Sequence, residues 1–452
     1  MAKELFGTDG IRGVPGTHPL DDATLHAAGR ALGAYVCRET SSPHVLIGMD
    51  TRESGPRIAS LLGSGLAQAG VTPAFAGIIT TPGVACLVRR KKYHAGVVIS
   101  ASHNPYHDNG VKLFSGAGMK FSDAIEEKIE ADILRWKNDP VRDGSFPLRA
   151  DESFDAEYLA FLGSCVLPGA RLAGLKIVLD CANGAASVLG PALFSSLGAR
   201  VVAIHNHPNG KNINAGCGSL YMESLQKRVV AERASLGVAF DGDADRALFV
   251  SPLGRIINGD GVLLAAARYL ASKKKLKGKR VVATTMSNLG LERALDSEGI
   301  TLARVPVGDR YVLEEMLRSR AVLGGEQSGH IIFLDDAPAG DGLLTAVKMA
   351  SLVSMKSPSK AGSIEDLVAG LKEYPQTIVN VKVRRKPPLE TIPAITRALA
   401  EANSALGSNG RIVLRYSGTE PLVRVMVEAE HASDVKKWSE SIASAVRSAI
   451  GM

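Results

Sequence analysis

Three stretches of the chain repeat one pattern of apolar and polar positions. HVLIGMDTRESG from His44, LKIVLDCANGAAS from Leu175 and KRVVATTMSNLG from Lys279 each run from an apolar segment of β type into a small polar turn and then into helix-period sequence. Strands alternating with amphipathic helices predict βαβ units on parallel or mixed sheets, and the recurrence predicts three related α/β domains. The remainder reads differently. From Ile378 it runs IVNVKVRRKPP, a helix-like segment, a hairpin-like pair of strands in GRIVLRYSGTEPLVRVMVEAE, and the amphipathic stretch ASDVKKWSESIASAVRSAI, a small α+β domain. Composition loosens around 135–154, 251–261 and 370–377, so the expected domains are 1–153, 154–254, 255–370 and 371–452.

Composition narrows the class. A chain of 452 residues exceeds a single core, and no segment reaches the roughly 18 consecutive apolar residues of a membrane span. The start, MAKELFGTDGIRG, carries no apolar export segment, and the cysteines (Cys37, Cys86, Cys165, Cys181, Cys217) form no CxxC pair. Reduced thiols and a cytoplasmic location are expected. The formal charge of +7 attracts anions, either nucleic acid or small phosphorylated metabolites. The densest basic run, SKKKLKGKR from Ser272, lies between a helical pattern and a strand and has no aromatic residue for base stacking. It reads as a solvated helix end, with no nucleic-acid partner expected.

Four segments carry candidate chemistry. In AFDGDADRALF, Asp241, Asp243 and Asp245 alternate just beyond a strand-like run, so extended geometry places three carboxylates on one face, where they repel unless a cation neutralises them. Hard oxygen donors suit Mg²⁺. An EF-hand is excluded, because Arg246 stands where the loop needs glycine and Pro252 where it needs a bidentate glutamate. In ISASHNPYHDNGVKLF, Ser102 either caps a following helix or serves as a nucleophile beside His103 and Lys112 at a strand's carboxyl end. In GGEQSGH, glycines around Glu326 let backbone approach a ligand while Glu326 and Ser328 address hydroxyls; a glycine turn with one exposed acid reads equally from these residues. RYSGTEP, with Arg424 one strand later, combines guanidinium, hydroxyls and a glycine N–H, the equipment of a phosphate cradle.

SASHNP, DGDADR, GEQSGH and RYSGTEP, in that order, resemble the α-D-phosphohexomutase family, and the similarity runs from FGTDGIRG at Phe6 to VRVMVE ending at Glu428. The resemblance implies three α/β domains with mixed sheets plus a C-terminal α+β domain around a central cleft. By position it implies a phosphorylated Ser102, with Asp241, Asp243 and Asp245 holding Mg²⁺ together with a phosphoserine oxygen. Arg12, His103, Lys112 and Arg246 would surround the transferring phosphoryl group. Glu326 and Ser328 would hold sugar hydroxyls, with Gly308 and Asp309 of VPVGDRYV lining the same site. Arg415, Ser417, Gly418, Thr419 and Arg424 would bind the phosphate that is not reacting. FGTDGIRG, GEQSGH and SGTEPLVRVMVE are most similar to the branch acting on glucosamine phosphates, ahead of mannose or glucose phosphates, on a route to amino-sugar nucleotides and cell-wall precursors. A homodimer is implied as well. Tyr106-His107, after the serine motif, is a mild departure that touches none of these roles.

Overall fold

The computed structural model describes residues 4–7, 9–141, 146–147, 149–355, 364–417 and 421–452. The chain forms two compact units, one of Met1–Thr284 with Val305–Ala369, the other of Thr285–Arg304 with Gly370–Met452.

Within the larger unit, each of the three repeated patterns has become an interior strand of a sheet, next to an edge strand. Val45–Met49 runs parallel to Ala74–Ile78 on one side and to Ala95–Ile99 on the other, and Ala95–Ile99 pairs antiparallel with Asn109–Ser115. The strands Gly10–Gly13 and Phe6–Gly7 extend this sheet by antiparallel pairing. Lys176–Asp180 repeats the plan, parallel to Arg200–Ile204 and Leu236–Phe240, the latter antiparallel to Ala247–Val250. Arg280–Thr284 repeats it again, parallel to Leu323–Gly325, which turns back antiparallel as Ile331–Phe333. Every residue of Val45–Met49, Ala95–Ile99 and Leu236–Phe240 is buried. That accounts for their unbroken apolar runs, since strands covered on both faces have no solvent side to mark with polar residues.

The plan has a consequence for function. Each of these sheets contains one hairpin whose first strand is parallel to the repeated-pattern strand, and the hairpin loop leaves from that first strand's carboxyl end. The loop after Ala95–Ile99 carries Ser102, the loop after Leu236–Phe240 carries Asp241, Asp243 and Asp245, and the loop after Leu323–Gly325 carries Glu326. Equivalent loops of three repeats thus bear the three motifs.

The smaller unit contains the predicted α+β element. Leu422–Ala429 lies between Gln376–Lys382 and Gly410–Tyr416, both antiparallel to it. The helices Pro393–Leu406 and Ala432–Ile450 pack on this sheet through Ile395, Ala402, Trp438, Ile442 and Val446. Elsewhere, Lys273, Lys274 and Lys275 are exposed after the helix Gly259–Ser272, so the basic run is a solvated helix end. Among the described residues no helix is long and apolar enough to cross a membrane.

Candidate active site

Ser102 is not a helix cap. It is succeeded by turns and then by the strand Asn109–Ser115. The residue is buried and adopts a left-handed φ of 51°, an uncommon conformation for a side chain other than glycine, maintained only where the surroundings fix it. Those surroundings are dense. Ser102 N donates to Ser100 Oγ at 2.9 Å, and the Ser102 carbonyl accepts from Arg52 Nη2 at 3.0 Å and Asn214 Nδ2 at 2.9 Å.

Arg52 is the staple of this loop. Its side chain is 0% exposed. Nε donates to Asp50 Oδ2 at 2.9 Å, while the remaining nitrogens reach the carbonyls of Ser102, Asn104, Pro105 and Asp108. Asp50 also accepts from Ser100 Oγ at 2.6 Å. The planar guanidinium fork suits several converging acceptors in a way that a lysine ammonium does not. Neither Arg52 nor Asn214 stands out in the sequence, although Arg52 lies in the polar turn of the first repeated pattern.

Ser102 Oγ donates to Asp241 Oδ2 at 2.6 Å and lies 3.4 Å from His103 Nδ1. The three aspartates, all buried, bring one carboxylate oxygen each to within 4.8 Å of one another. Asp243 Oδ2 accepts from Lys112 Nζ at 2.9 Å and from Thr81 Oγ1 at 2.6 Å. Asp243 Oδ1 and Asp245 Oδ1 are buried with no hydrogen-bond partner. Two buried carboxylate oxygens without hydrogen bonds beside a third carboxylate are what a cation would satisfy, so the trio is able to bind a metal ion.

The electrostatics show how tightly the charges are packed. Burial, followed by Asp245 and Asp243, pushes the Asp241 carboxyl well above the ordinary carboxylate range. Burial alone would also raise Asp245, but His330, Lys112 and Arg246 outweigh it and hold that carboxylate ionised. For Lys112, burial opposes the charge and Asp243, Asp9 and Asp245 more than restore it. His103 goes the other way, lowered to about 4 by burial and by Arg246 and Arg12. It is a neutral imidazole near neutral pH.

Arg12 comes from the strand Gly10–Gly13, where it is the ladder partner of Gly110 and pairs with Asp9. Gly10 has no alternative, because a Cβ there would sit 2.3 Å from the Val111 carbonyl oxygen and φ is +81°. Arg246 N donates to Asp241 Oδ1 at 3.2 Å, and its side chain lies 3.8 Å from Asp245. Ser102, His103, Lys112, Arg246 and the trio therefore form one cluster, with Arg12 joined to Lys112 through Asp9, 3.3 Å from Lys112 Nζ.

The third loop is joined to the same cluster through charge. Glu326 Oε1 accepts from Gly308 N at 3.1 Å, and Oε2 from Ser328 Oγ at 3.2 Å. The loop sits against the helix Gly259–Ser272, where a Cβ at Gly259 would lie 1.9 Å from the Glu326 carbonyl oxygen, so only glycine permits the approach. Asp309 pairs with Lys120 at 2.7 Å, and Lys120 also pairs with Asp9. His330 lies 3.5 Å from Asp245 and 3.9 Å from Asp309, and a cavity is lined by Thr81, Lys120, Asp245, Asp309 and His330. Lys120, Asp9 and His330 were not among the expected site residues. Lys120 and His330 find their partners far away in the chain, and Asp9 joins Arg12, three residues on, to the distant Lys112 and Lys120.

In the smaller unit, Arg415 and Arg424 are ladder partners on neighbouring antiparallel strands and so share a face of the sheet. Ser417 is buried; its N–H donates to the Leu422 carbonyl at 2.8 Å, and its own carbonyl accepts from Lys386 Nζ at 2.9 Å. Burial and the facing Arg424 lower the pKa of Arg415 from its ordinary value, the signature of cations brought together. Gly418 and Thr419 lie outside the described residues.

Sequence comparison places this geometry in a family. The chain matches Phosphoglucomutase/phosphomannomutase, alpha/beta/alpha domain I over 3–139, domain II over 156–254, domain III over 258–374 and the C-terminal domain over 378–445. It belongs to the phosphoglucomutase/phosphomannomutase family and is an isomerase of the phosphohexomutase type. It is similar to the phosphoglucosamine mutase of Solibacter usitatus, 51% identical over 452 residues and 100% of both chains. The phosphoglucosamine mutase of Koribacter versatilis is 48% identical over 458 residues, covering 100% of this chain and 98% of the relative. Among solved structures, a phosphoglucomutase/phosphomannomutase family protein from Burkholderia thailandensis superposes with a TM-score of 0.80 at 23% identity, covering 100% of both chains. This last likeness concerns the fold.

Proposed function

We propose that the enzyme interconverts glucosamine 6-phosphate and glucosamine 1-phosphate, with Ser102 carrying the phosphoryl group and a bisphosphorylated sugar as intermediate. The observation that carries the reading is the buried contact between Ser102 Oγ and Asp241 at 2.6 Å, next to the spare oxygens of Asp243 and Asp245. A hydroxyl so placed is fixed in position against the carboxylate cluster. The choice of sugar rests on the names of the two full-length relatives.

Asp241, Asp243, Asp245 and an oxygen of phosphorylated Ser102 would hold Mg²⁺, as all-oxygen donors suit a hard cation. When bound, it neutralises charge on the transferring phosphoryl oxygens. The chain's own groups do the rest. Lys112, Arg246 and Arg12 present positive charge to the transferring group, where it stabilises charge spread over the equatorial oxygens. Neutral His103 is within reach of Ser102 Oγ and can take a hydroxyl proton. A sugar hydroxyl attacks phosphorus, its O–P bond forms as the P–Oγ bond breaks, the hydroxyl proton passes to a base, and the departing Ser102 Oγ takes up a proton in its place. The bisphosphate then turns over and returns its other phosphoryl group to Ser102.

Glu326 and Ser328, with Gly308 and Asp309 beside them, address ring hydroxyls. Arg415, Ser417, Gly418, Thr419 and Arg424 take the phosphate that is not reacting, at either end of the sugar, because guanidinium and amide donors read charge and shape. The five free cysteines fit a reducing compartment, the cytoplasm. The test is a panel of glucosamine, glucose and mannose 6-phosphates under equal conditions. The reading expects the highest kcat/KM for glucosamine 6-phosphate; a higher value for mannose 6-phosphate would move the substrate assignment and leave the phosphoserine chemistry standing.

A further inference from the structure

Asp180, His205 and Cys217 form a second cluster of metal-ligating side chains, made of residues the phosphoryl chemistry does not use. One ligand atom from each, an oxygen, a nitrogen and a sulfur, lies within 4.8 Å of the others. The fold brings them there from three separate segments. Asp180 ends the strand Lys176–Asp180 and His205 comes directly after the parallel neighbour Arg200–Ile204, in a register that pairs Asp180 with Ile204. Cys217 arrives from the connection that precedes the short helix Gly218–Leu220.

Asp180 and Cys217 are each contacted by a group outside the trio, and Asp180 and His205 also contact each other. Asp180 Oδ1 accepts from Ala182 N at 3.0 Å, Asp180 Oδ2 faces His205 Nδ1 at 2.9 Å, and Asn183 Nδ2 lies 3.8 Å from Cys217 Sγ. Asp180 and Cys217 are buried, while the His205 side chain is 32% exposed and leaves a route for an ion. A carboxylate–imidazole ion pair accounts for two of the three groups. It does not account for a buried thiol converging on the same point.

We propose that Asp180, His205 and Cys217 bind a thiophilic divalent cation of the Zn²⁺ type, at a site separate from the aspartate trio. The donor chemistry separates the two. An all-carboxylate set suits Mg²⁺, whereas a thiolate, an imidazole and a carboxylate suit Zn²⁺ and leave a fourth position for water. Binding releases the Cys217 thiol proton to solvent, and thiolate plus carboxylate balance the charge of the dication. The site also bears on the reaction centre. Asn183 N donates to the His205 carbonyl at 2.6 Å, Asn214 N to the Ala182 carbonyl at 2.9 Å, and Asn214 Nδ2 to the Ser102 carbonyl at 2.9 Å. An ion fixing Cys217 and His205 therefore tethers both ends of the segment whose Asn214 holds the Ser102 backbone.

The experiment titrates chelator-treated full-length enzyme with Co²⁺ in excess Mg²⁺ and reads thiolate-to-cobalt charge-transfer absorption in the near ultraviolet. One equivalent of Co²⁺ should produce the absorption in the wild type, in Cys37→Ser and in Asp241→Asn, and none should appear in Cys217→Ser. His205→Gln, at a partly exposed position that folding tolerates, should weaken Co²⁺ binding about tenfold or more. Zn²⁺ should slow amide exchange across residues 205–217. The proposal is overturned if no absorption appears, if it survives Cys217→Ser and disappears with Cys37→Ser, or if His205→Gln binds Co²⁺ as the wild type does.

Discussion

Under the proposed mechanism the cluster around Ser102 and the arginine pair of the smaller unit would both handle phosphate, yet they are built on opposite principles. Around Ser102 almost every charge is buried and has its counter-charge in the protein: Arg52 with Asp50, Lys112 with Asp243 and Asp9, Asp245 with His330. In the smaller unit two guanidinium groups face each other across neighbouring strands, and Lys386 approaches the same loop through the Ser417 carbonyl. The first arrangement fixes geometry before any ligand arrives, which phosphoryl transfer requires. The second sets two guanidinium-bearing residues opposite each other on neighbouring strands, which suits the proposed role of gripping a phosphate at either end of the sugar. Changes in the first region should therefore be read in turnover and folding, and changes in the second in substrate concentration dependence.

The largest expected effect is on turnover. Ser102→Ala should lower kcat by about a thousandfold or more while the melting temperature stays close to wild type, because it deletes the phosphoryl carrier and little packing volume. Turnover near the wild-type rate would remove Ser102 from the mechanism.

Arg52→Lys comes next and tests the idea of fixed geometry. It keeps the charge but loses the fork, leaving carbonyls of the Ser102 loop without donors. Breaking such a buried network typically costs about 3 kcal/mol or more. Denaturant unfolding should show the loss, and kcat should fall although the contacts of Arg52 are to Asp50 and the loop backbone. Unchanged stability would mean that the loop is held by something else.

Arg415→Ala should raise KM for the phosphosugar about tenfold with a smaller change in kcat, and should release more free bisphosphate per turnover. Steady-state kinetics with product analysis decides it. An unchanged KM would detach this pair from the substrate and end the contrast between the two regions.

The smallest effect concerns Asp341, buried at the start of the helix Gly342–Met355 and accepting from Tyr158 Oη at 2.8 Å. Burial pushes its carboxyl up from 3.8 to about 6. Between those values the folded protein retains a proton that the unfolded chain has released, so this group lowers stability as pH rises through the interval and the cost is complete above about 6. Asp341→Asn should therefore raise the melting temperature at pH 8, with the gain shrinking toward pH 4. A gain independent of pH would contradict the assignment.

Legibility in the sequence divides along similar lines. Ser102, the aspartate trio and Glu326 were legible as loop residues because each sits in a short polar motif directly after an apolar strand, and the three repeated strand starts mark an interior strand of each sheet. The α+β tail was legible from periodicity alone. Arg52, Asn214, Lys120 and His330 were not, because their roles exist only through partners far along the chain: Arg52 reads as an ordinary turn residue until the Ser102 loop folds over it. Ser102 as a helix cap was equally open in the sequence. The turns and the strand Asn109–Ser115 exclude it, and no local propensity reveals the hairpin pairing that forms that strand.

The most direct test of the central claim is intact-mass measurement of the enzyme after incubation with a hexose bisphosphate and Mg²⁺, with mapping of the modified peptide. The account predicts one added phosphoryl group, located on Ser102, absent in Ser102→Ala, and lost when glucosamine 6-phosphate is supplied, with glucosamine bisphosphate appearing in its place. A phosphoryl group on another residue, or full turnover with none on the enzyme at any stage, would contradict it.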